Sequence, residues 1–291
     1  MRIGAHVPTR GRFARAIDAA KQCGAQAIQV FVSNPRAWAP PRLAAEDGRE
    51  FAERRLAAGI GPVYGHTTYL VNIASPDPEF WRRSVELARL EMEAVEMLAA
   101  DGLVIHAGAG GPGERAAALD RAAHAVQAIT GDLEGPELVL EMTAGGAGTI
   151  ASTIPQAAEL LETVGANPRV ALCIDTCHLF AAGYGLDSAR GVKDAFAELR
   201  KHRLVGRVRL VHANDAKFPR GSRLDRHEHV GQGFIGDRGF RAILAEPAVR
   251  GSTVLIETPG KLDDDKRNIA RLRQLAGLAP RGYLGEGPSG E

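Results

Sequence analysis

Short apolar runs alternate with amphipathic stretches along nearly the whole of this chain, and that alternation limits its folds more than any other feature. Runs at residues 2–7, 27–32, 62–65, 103–105, 138–140, 170–174, 208–211 and 253–256 read as strands. The stretches at 11–23, 44–58, 78–100, 113–130, 154–164, 187–202, 240–244 and 263–276 read as helices. Phe13, Ala16, Ile17 and Ala20, for example, share one helical face. Eight such units in about 275 residues match a (β/α)8 barrel in count and length. A doubly wound open sheet uses similar units but stops at five or six. The expected architecture is therefore an α/β protein with a TIM barrel as one domain over residues 1–278, followed by a loose Gly-rich tail at 279–291.

In a barrel of this kind the residue at the C-terminal end of each strand faces the mouth where chemistry takes place. Strands three to eight end in His66, His106, Glu141, Asp175, His212 and Glu257. A single His at a strand end is ordinarily hydrogen-bonded structure; six successive ends of this type are hard to explain as packing. Several carboxylates in one mouth repel one another, and bound cations relieve that. Two loops add His178, three residues beyond Asp175, and the pair Asp225 and His227. Five imidazoles and four carboxylates exceed the needs of one tetrahedral ion. The mixture, lacking thiolate, suits two or three ions of Zn2+, Mn2+ or Fe2+. Ions about 4 Å apart are suited to in-line displacement at phosphorus. The sequence therefore predicts a metal cluster at the C-terminal face of the strands.

Other signals weigh less. Gly108 to Gly113 fits G-x-G-x-x-G literally, but in the fourth unit and with Pro112 removing an amide, so it reads as a rim loop. Cys177, between ligand candidates, reads as packing, and His229 is left outside the ligand set. His6, His124 and His202 read as structural or exposed. The net charge of +1 does not announce a polyanion partner, yet residues 200–226 hold nine Lys or Arg against Asp215 and Asp225. Cys23, Cys173 and Cys177 form no CxxC pair, which points to a reducing compartment rather than a disulfide framework. The start lacks a signal-peptide run and no stretch is apolar enough to span a membrane, so a cytoplasmic protein is expected.

Seven segments carry a resemblance. IGAHV, HTTYLVNIASP, VIHAG, LEMTAG, CIDTCHLFAAGY, VHANDAKFPRGSRLDRHEHVGQGFIG and LIETP stand in order and at similar spacing to their counterparts in the endonuclease IV family. That family consists of zinc-dependent apurinic/apyrimidinic endonucleases. The resemblance implies three zinc ions, with Mn2+ or Fe2+ as substitutes. His66, His106 and Glu141 would hold the first, and Asp175, His212 and Glu257 the second, with Glu141 bridging. His178, Asp225 and His227 would hold the third. It implies hydrolysis of the phosphodiester on the 5′ side of an abasic site, leaving a 3′-hydroxyl and a 5′-deoxyribose phosphate, and trimming of blocked 3′ ends. Glu141 and Glu257 would be the catalytic carboxylates. The substrate would be double-stranded DNA and the enzyme a monomer. Arg36 and the pair Tyr69 and Leu70 match positions that enter the gap left by the extruded nucleotide, where a wedge replaces lost stacking. Lys217, Arg220, Arg223 and Arg226 would meet phosphates.

The chain departs from the family pattern at Met142, where Asn is usual, at Gly185, where Asp is usual, and in the loop after Thr143, longer by about one residue. None of these removes a ligand. Two other functions are weighed beside the nuclease: a metal-dependent sugar isomerase or epimerase on the same barrel, and a non-catalytic binder of damaged DNA.

Overall fold

The computed structural model describes residues 1–131 and 135–279. Eight parallel strands close into a barrel: β1 (Arg2–His6), β2 (Ile28–Phe31), β3 (Val63–His66), β4 (Gly102–His106), β5 (Glu137–Glu141), β6 (Val170–Asp175), β7 (Val208–His212) and β10 (Thr253–Ile256). Neighbours in sequence are neighbours in space, and β10 pairs with β1 to complete the ring. Around it lie α1 (Ala14–Cys23), α2 (Ala45–Ala57), α3 (Pro78–Met97), α4 (Arg115–Thr130), α5 (Ile154–Val164), α7 (Ala189–Lys201), α8 (Gly236–Ala245), α9 (Pro247–Arg250) and α10 (Leu262–Leu275). The expected tail lies outside the described residues from 280 onward.

Local chemistry starts the helices. Asp77 caps α3, its carboxylate accepting from the amides of Glu79 and Phe80 at 2.9 and 3.0 Å, with Pro78 in the first turn. Thr153 and Gln156 form a reciprocal capping box on α5. Inside the ring, Ala27, Tyr64, Val104, Val139, Ala171, Cys173, Leu210 and Leu255 pack as an interior core. A larger apolar layer joins the outer faces of the strands to the helices.

Several elements differ from the sequence reading, among them the short helix α9, which that reading lacks. The segment after β6 is not a loop but a short helix, α6 (Thr176–Ala181), because Asp175 turns its carboxylate back onto the His178 amide at 3.0 Å. The long segment after β7 folds as a hairpin of β8 (Asp215–Ala216) and β9 (His227–Glu228), whose loop folds back onto α6, the Gly221 and Arg223 amides donating to the Phe180 and Ala181 carbonyls at 3.1 and 3.0 Å. Helix α8 begins four residues before the expected start. No described helix is long and apolar enough to cross a membrane.

Candidate metal centre

Strand register sets the frame of the site. His106 lies opposite Glu141 across β4 and β5, and Asp175 opposite His212 across β6 and β7. Six strand-end side chains therefore converge on one mouth, and α6 and the hairpin bring His178, Asp225 and His227 to the same place. All nine expected ligands fall into three compact donor groups: His66, His106 and Glu141; Glu141, Asp175, His212 and Glu257; and His178, Asp225 and His227.

Glu141, fully buried, stands between the first two groups. Its Oε2 lies 3.3 Å from His66 Nε2 and 3.4 Å from His106 Nε2, while its Oε1 lies 3.1 Å from His212 Nδ1. Glu257 Oε2 is 3.2 Å from the same His212 nitrogen. In the third group Asp225 Oδ1 stands 3.2 Å from both His178 Nε2 and His227 Nε2. Asp175 Oδ2 approaches His227 Nε2 at 3.6 Å and His212 Nδ1 at 3.9 Å, joining the second and third groups.

The opposite edge of most imidazoles is already committed. His66 Nδ1 faces the Thr67 carbonyl at 2.7 Å, His178 Nδ1 the Met142 carbonyl at 2.8 Å, and His227 Nδ1 the Glu257 carbonyl at 3.0 Å. Such partners hold the proton on Nδ1 and turn a bare Nε2 lone pair inward. His212 is reversed: its Nε2 is held by Gln29 Oε1 at 2.9 Å, leaving Nδ1 inward.

These donors fit metal ions. The Nε2 atoms of His178 and His227 are buried and meet no hydrogen-bond criterion among the described residues, although Asp225 Oδ1 stands 3.2 Å from each. A ligand separation of about 3.3 Å is the tetrahedron edge for zinc bonds of roughly 2.0–2.1 Å, and the tightest pairs here fall at 3.1–3.4 Å. Charge agrees with geometry. Burial opposes ionisation of Glu141, but His212 and His106 outweigh it and hold its carboxyl well below the usual range. Burial would likewise lower the imidazole pKa values, yet the carboxylates of Asp175 and Asp225 raise His178 well above the usual value and His227 to about 9. A field that holds protons so firmly will also hold divalent cations. Cys173 stands with Glu141 and His212, and Cys177 with Asp175 and His227, but burial pushes Cys173 up to about 12 and raises Cys177 as well, which disfavours their thiolates.

The sequence reading missed four supporting residues. Gln29 donates through Nε2 to Glu257 Oε1 at 2.5 Å while holding His212, so it fixes two members of the second group at once. His6, read as structural or exposed, is half-buried with Nδ1 3.1 Å from Glu257 Oε1, and desolvation lowers its pKa. Its place at the end of β1 repeats the strand-end pattern, as Gln29 repeats the pattern of a polar residue within an apolar strand. Asn214 donates to Asp175 Oδ2 at 2.7 Å and accepts from the Glu257 amide at 2.7 Å. Asp215 is no ligand; it accepts from the amides of Ala216, Gly231, Gly233, Ile235 and Gly236 and so staples the base of the hairpin.

The family departures are accommodated. Met142 supports His178 through its carbonyl, which no side chain alters. The loop after Thr143 docks on the Gly-rich loop after β4, with the Gly110 amide donating to the Gly148 carbonyl at 2.9 Å. At Gly148 φ is +74° and a Cβ would meet the Gly110 carbonyl oxygen at 2.1 Å, so only glycine fits. The G-x-G-x-x-G segment therefore serves loop packing. At Gly185 a Cβ would stand 2.9 Å from the Arg220 guanidinium.

Around the mouth, Arg36, Lys217, Arg220 and Arg223 are exposed and their side-chain cations make no hydrogen bond or ion pair among the described residues; exposed Arg226 bonds only the Asp225 carbonyl. Tyr69 is 60% exposed, its ring edge-on to Phe31, and Leu70 beside it is half-buried. Phe218, Leu224 and Phe234 add exposed apolar surface on and beside the hairpin, which charge counting did not flag.

A closed eight-stranded barrel with imidazoles and carboxylates at its mouth defines a class, and residues 17–275 match the family described as xylose isomerase-like TIM barrels. The probable endonuclease 4 of Methanoculleus marisnigri is 38% identical over 278 residues, covering 94% of this chain and 99% of that protein. The crystal structure of endonuclease IV from Thermus thermophilus superposes with a TM-score of 0.84 at 31% identity, covering 95% of this chain and 99% of that one. A D-tagatose 3-epimerase-like protein, at 17% identity and a TM-score of 0.72, shares the fold alone. The chain belongs to the endonuclease IV family.

Proposed function

We propose that this chain is a DNA-repair apurinic/apyrimidinic endonuclease that binds three zinc ions and hydrolyses the phosphodiester 5′ to an abasic site. The observation that carries the reading is Glu141, a buried carboxylate offering one oxygen to each of two donor groups in a member of this family. His66, His106 and Glu141 would hold the first ion, Asp175, His212 and Glu257 the second with Glu141 shared, and His178, Asp225 and His227 the third. Mn2+ or Fe2+ suits the same donors. Bound zinc supplies Lewis acidity, which acidifies water and offsets charge on phosphate oxygens.

The chain's own residues do the rest. Glu141 orients the reacting centre, and Glu257, held by Gln29 and His6, takes the proton of the attacking water. The new oxygen–phosphorus bond forms as the bond to the 3′-oxygen breaks, leaving a 3′-hydroxyl and a 5′-deoxyribose phosphate. Blocked 3′ ends are trimmed by the same displacement. Arg36, Tyr69 and Leu70 enter the gap left by the extruded abasic nucleotide, and Lys217, Arg220, Arg223 and Arg226 meet the backbone. We further infer a cytoplasmic monomer with one catalytic domain over residues 1–278.

Dialysis against a chelator should abolish cleavage of an abasic duplex and readdition of Zn2+ restore it, with three equivalents bound. A metal-replete chain that leaves the abasic duplex intact would end this reading.

A further inference from the structure

Glu91 lies on the apolar face of α3, beside Leu87, Ala88, Met92 and Val95, and is fully buried. It belongs to none of the three donor groups. Burying a carboxylate is unfavourable unless its bonds repay the lost hydration. Here only one oxygen is satisfied: Oε1 accepts from the Ser33 hydroxyl and from the Thr68 amide at 3.1 Å, while Oε2 is buried without a hydrogen-bond partner among the described residues. Burial accordingly pushes the carboxyl up to about 7. A side chain half unsatisfied in the core is a poor stabiliser, so its position needs another explanation.

Its two bonds reach two different loops. Ser33 belongs to the loop after β2 that carries Arg36; Thr68 belongs to the loop after β3 that carries Tyr69 and Leu70. The same loops are laced again above Glu91. The Thr68 hydroxyl donates to the Pro35 carbonyl at 2.8 Å, and the Tyr69 amide donates to it at 3.2 Å. Glu91 is thus the buried foot of a clamp whose exposed tips are Arg36 on one side and Tyr69 on the other.

We propose that Glu91 is a positioning residue that locks these two loops in register, presenting Arg36 and Tyr69 as one pre-formed wedge to duplex DNA with a missing base. The proposal rests on the nuclease reading for the role of the wedge. Its geometric part stands apart: the clamp orders the loops before any substrate binds. Pre-ordering acts on binding rather than on the bond-breaking step.

The test uses the full, zinc-loaded chain. Glu91→Ala should raise KM for an abasic duplex by about tenfold, the scale of one lost charge-assisted bond, with kcat within about twofold. Zinc content should not change. Glu91→Gln keeps an acceptor oxygen and should return KM to near wild type. In a Tyr69→Ala background, Glu91→Ala should add clearly less than its roughly tenfold effect in the wild type, because one of the two tips it aims is gone. Amide exchange in the free chain reads the clamp without substrate: the Thr68 and Tyr69 amides should exchange about tenfold faster in Glu91→Ala. If that variant does not fold, Ser33→Ala removes the Ser33 link to Glu91 and Thr68→Val removes the hydroxyl bond to Pro35; the Thr68 amide bond to Glu91 remains, so the pair should move KM and exchange in the same direction by a smaller factor. Unchanged exchange at Thr68 and Tyr69 overturns the proposal, as does an unchanged KM or full additivity with Tyr69→Ala. A wild-type chain that leaves the abasic duplex uncut overturns the nuclease reading instead, and the exchange result still judges the clamp.

Discussion

Asp225→Ala isolates the third donor group. The Asp225 side chain is 50% exposed, and its Oδ1 lies 3.2 Å from two imidazole nitrogens that have no hydrogen-bond partner. Truncation therefore leaves the core untouched and reduces the group to two histidines. An ion bound at a free concentration of about 100 times its Kd stabilises the folded chain by roughly 2.7 kcal/mol. The entropy of unfolding, about 2.1 cal/mol/K per residue, comes to roughly 0.6 kcal/mol/K for 291 residues. Losing the third ion should therefore lower Tm by about 4–5 °C in the zinc-loaded protein. Metal-free wild type and variant should differ by less than the zinc-loaded pair, since without metal the half-exposed Asp225 contributes only its ion pairs to His178 and His227. Elemental analysis after dialysis should find two zinc equivalents in the variant against three in wild type, and calorimetry with and without chelator reads the rest. Three retained equivalents with normal abasic-site cleavage would refute the assignment. An equal loss of Tm with chelator present would show that Asp225 serves folding instead.

Gln29→Leu removes the partner of His212 Nε2 and a donor to Glu257, and should weaken metal affinity at the second group by roughly 10–100-fold; chelator competition measures it, and wild-type affinity counts against the role given to Gln29. Tyr69→Ala should raise KM for an abasic duplex on the order of tenfold without moving Tm, the ring being largely exposed; a KM that stays put removes Tyr69 from the gap. The Glu91 carboxyl, raised by burial from 4.5 to about 7, makes the folded chain bind more protons than the unfolded one between those values. Stability should therefore fall as pH rises through that window, and Glu91→Gln should flatten that part of the Tm profile; identical slopes in both proteins would dispose of the argument.

The barrel and all nine donors were legible because both rest on periodic signals. A strand in a parallel barrel is an apolar run, and a polar residue at its end stands out against it. Where a residue's role depends on the path of an irregular segment, the sequence is silent. Asp215 sits in a basic stretch and looks like one more rim carboxylate; only the fold shows five backbone amides turned toward it. His178 was found by its spacing from Asp175, but the helix that presents it was not, since six residues are too few for a helical period to register. Gln29 and Glu91 were visible as polar residues on apolar faces, yet nothing local distinguishes such a residue from a tolerated defect. Their partners lie 183 positions away at His212 and 58 positions away at Ser33.

The same division explains why the departures from the family pattern are tolerable. His178 needs an acceptor for Nδ1, and the backbone at residue 142 provides it whatever side chain stands there. The buried Met142 side chain then packs where a polar one would need partners of its own. At Gly185 the Arg220 guanidinium takes up the space a side chain would need, and it is exposed and without an acidic partner among the described residues. An acidic residue there would face Arg220 directly and compete with a phosphate for it. The nine candidate donors are thus fixed by strand register and backbone carbonyls, which side-chain changes hardly disturb, while the exposed cations around the mouth depend on which side chains their neighbours carry.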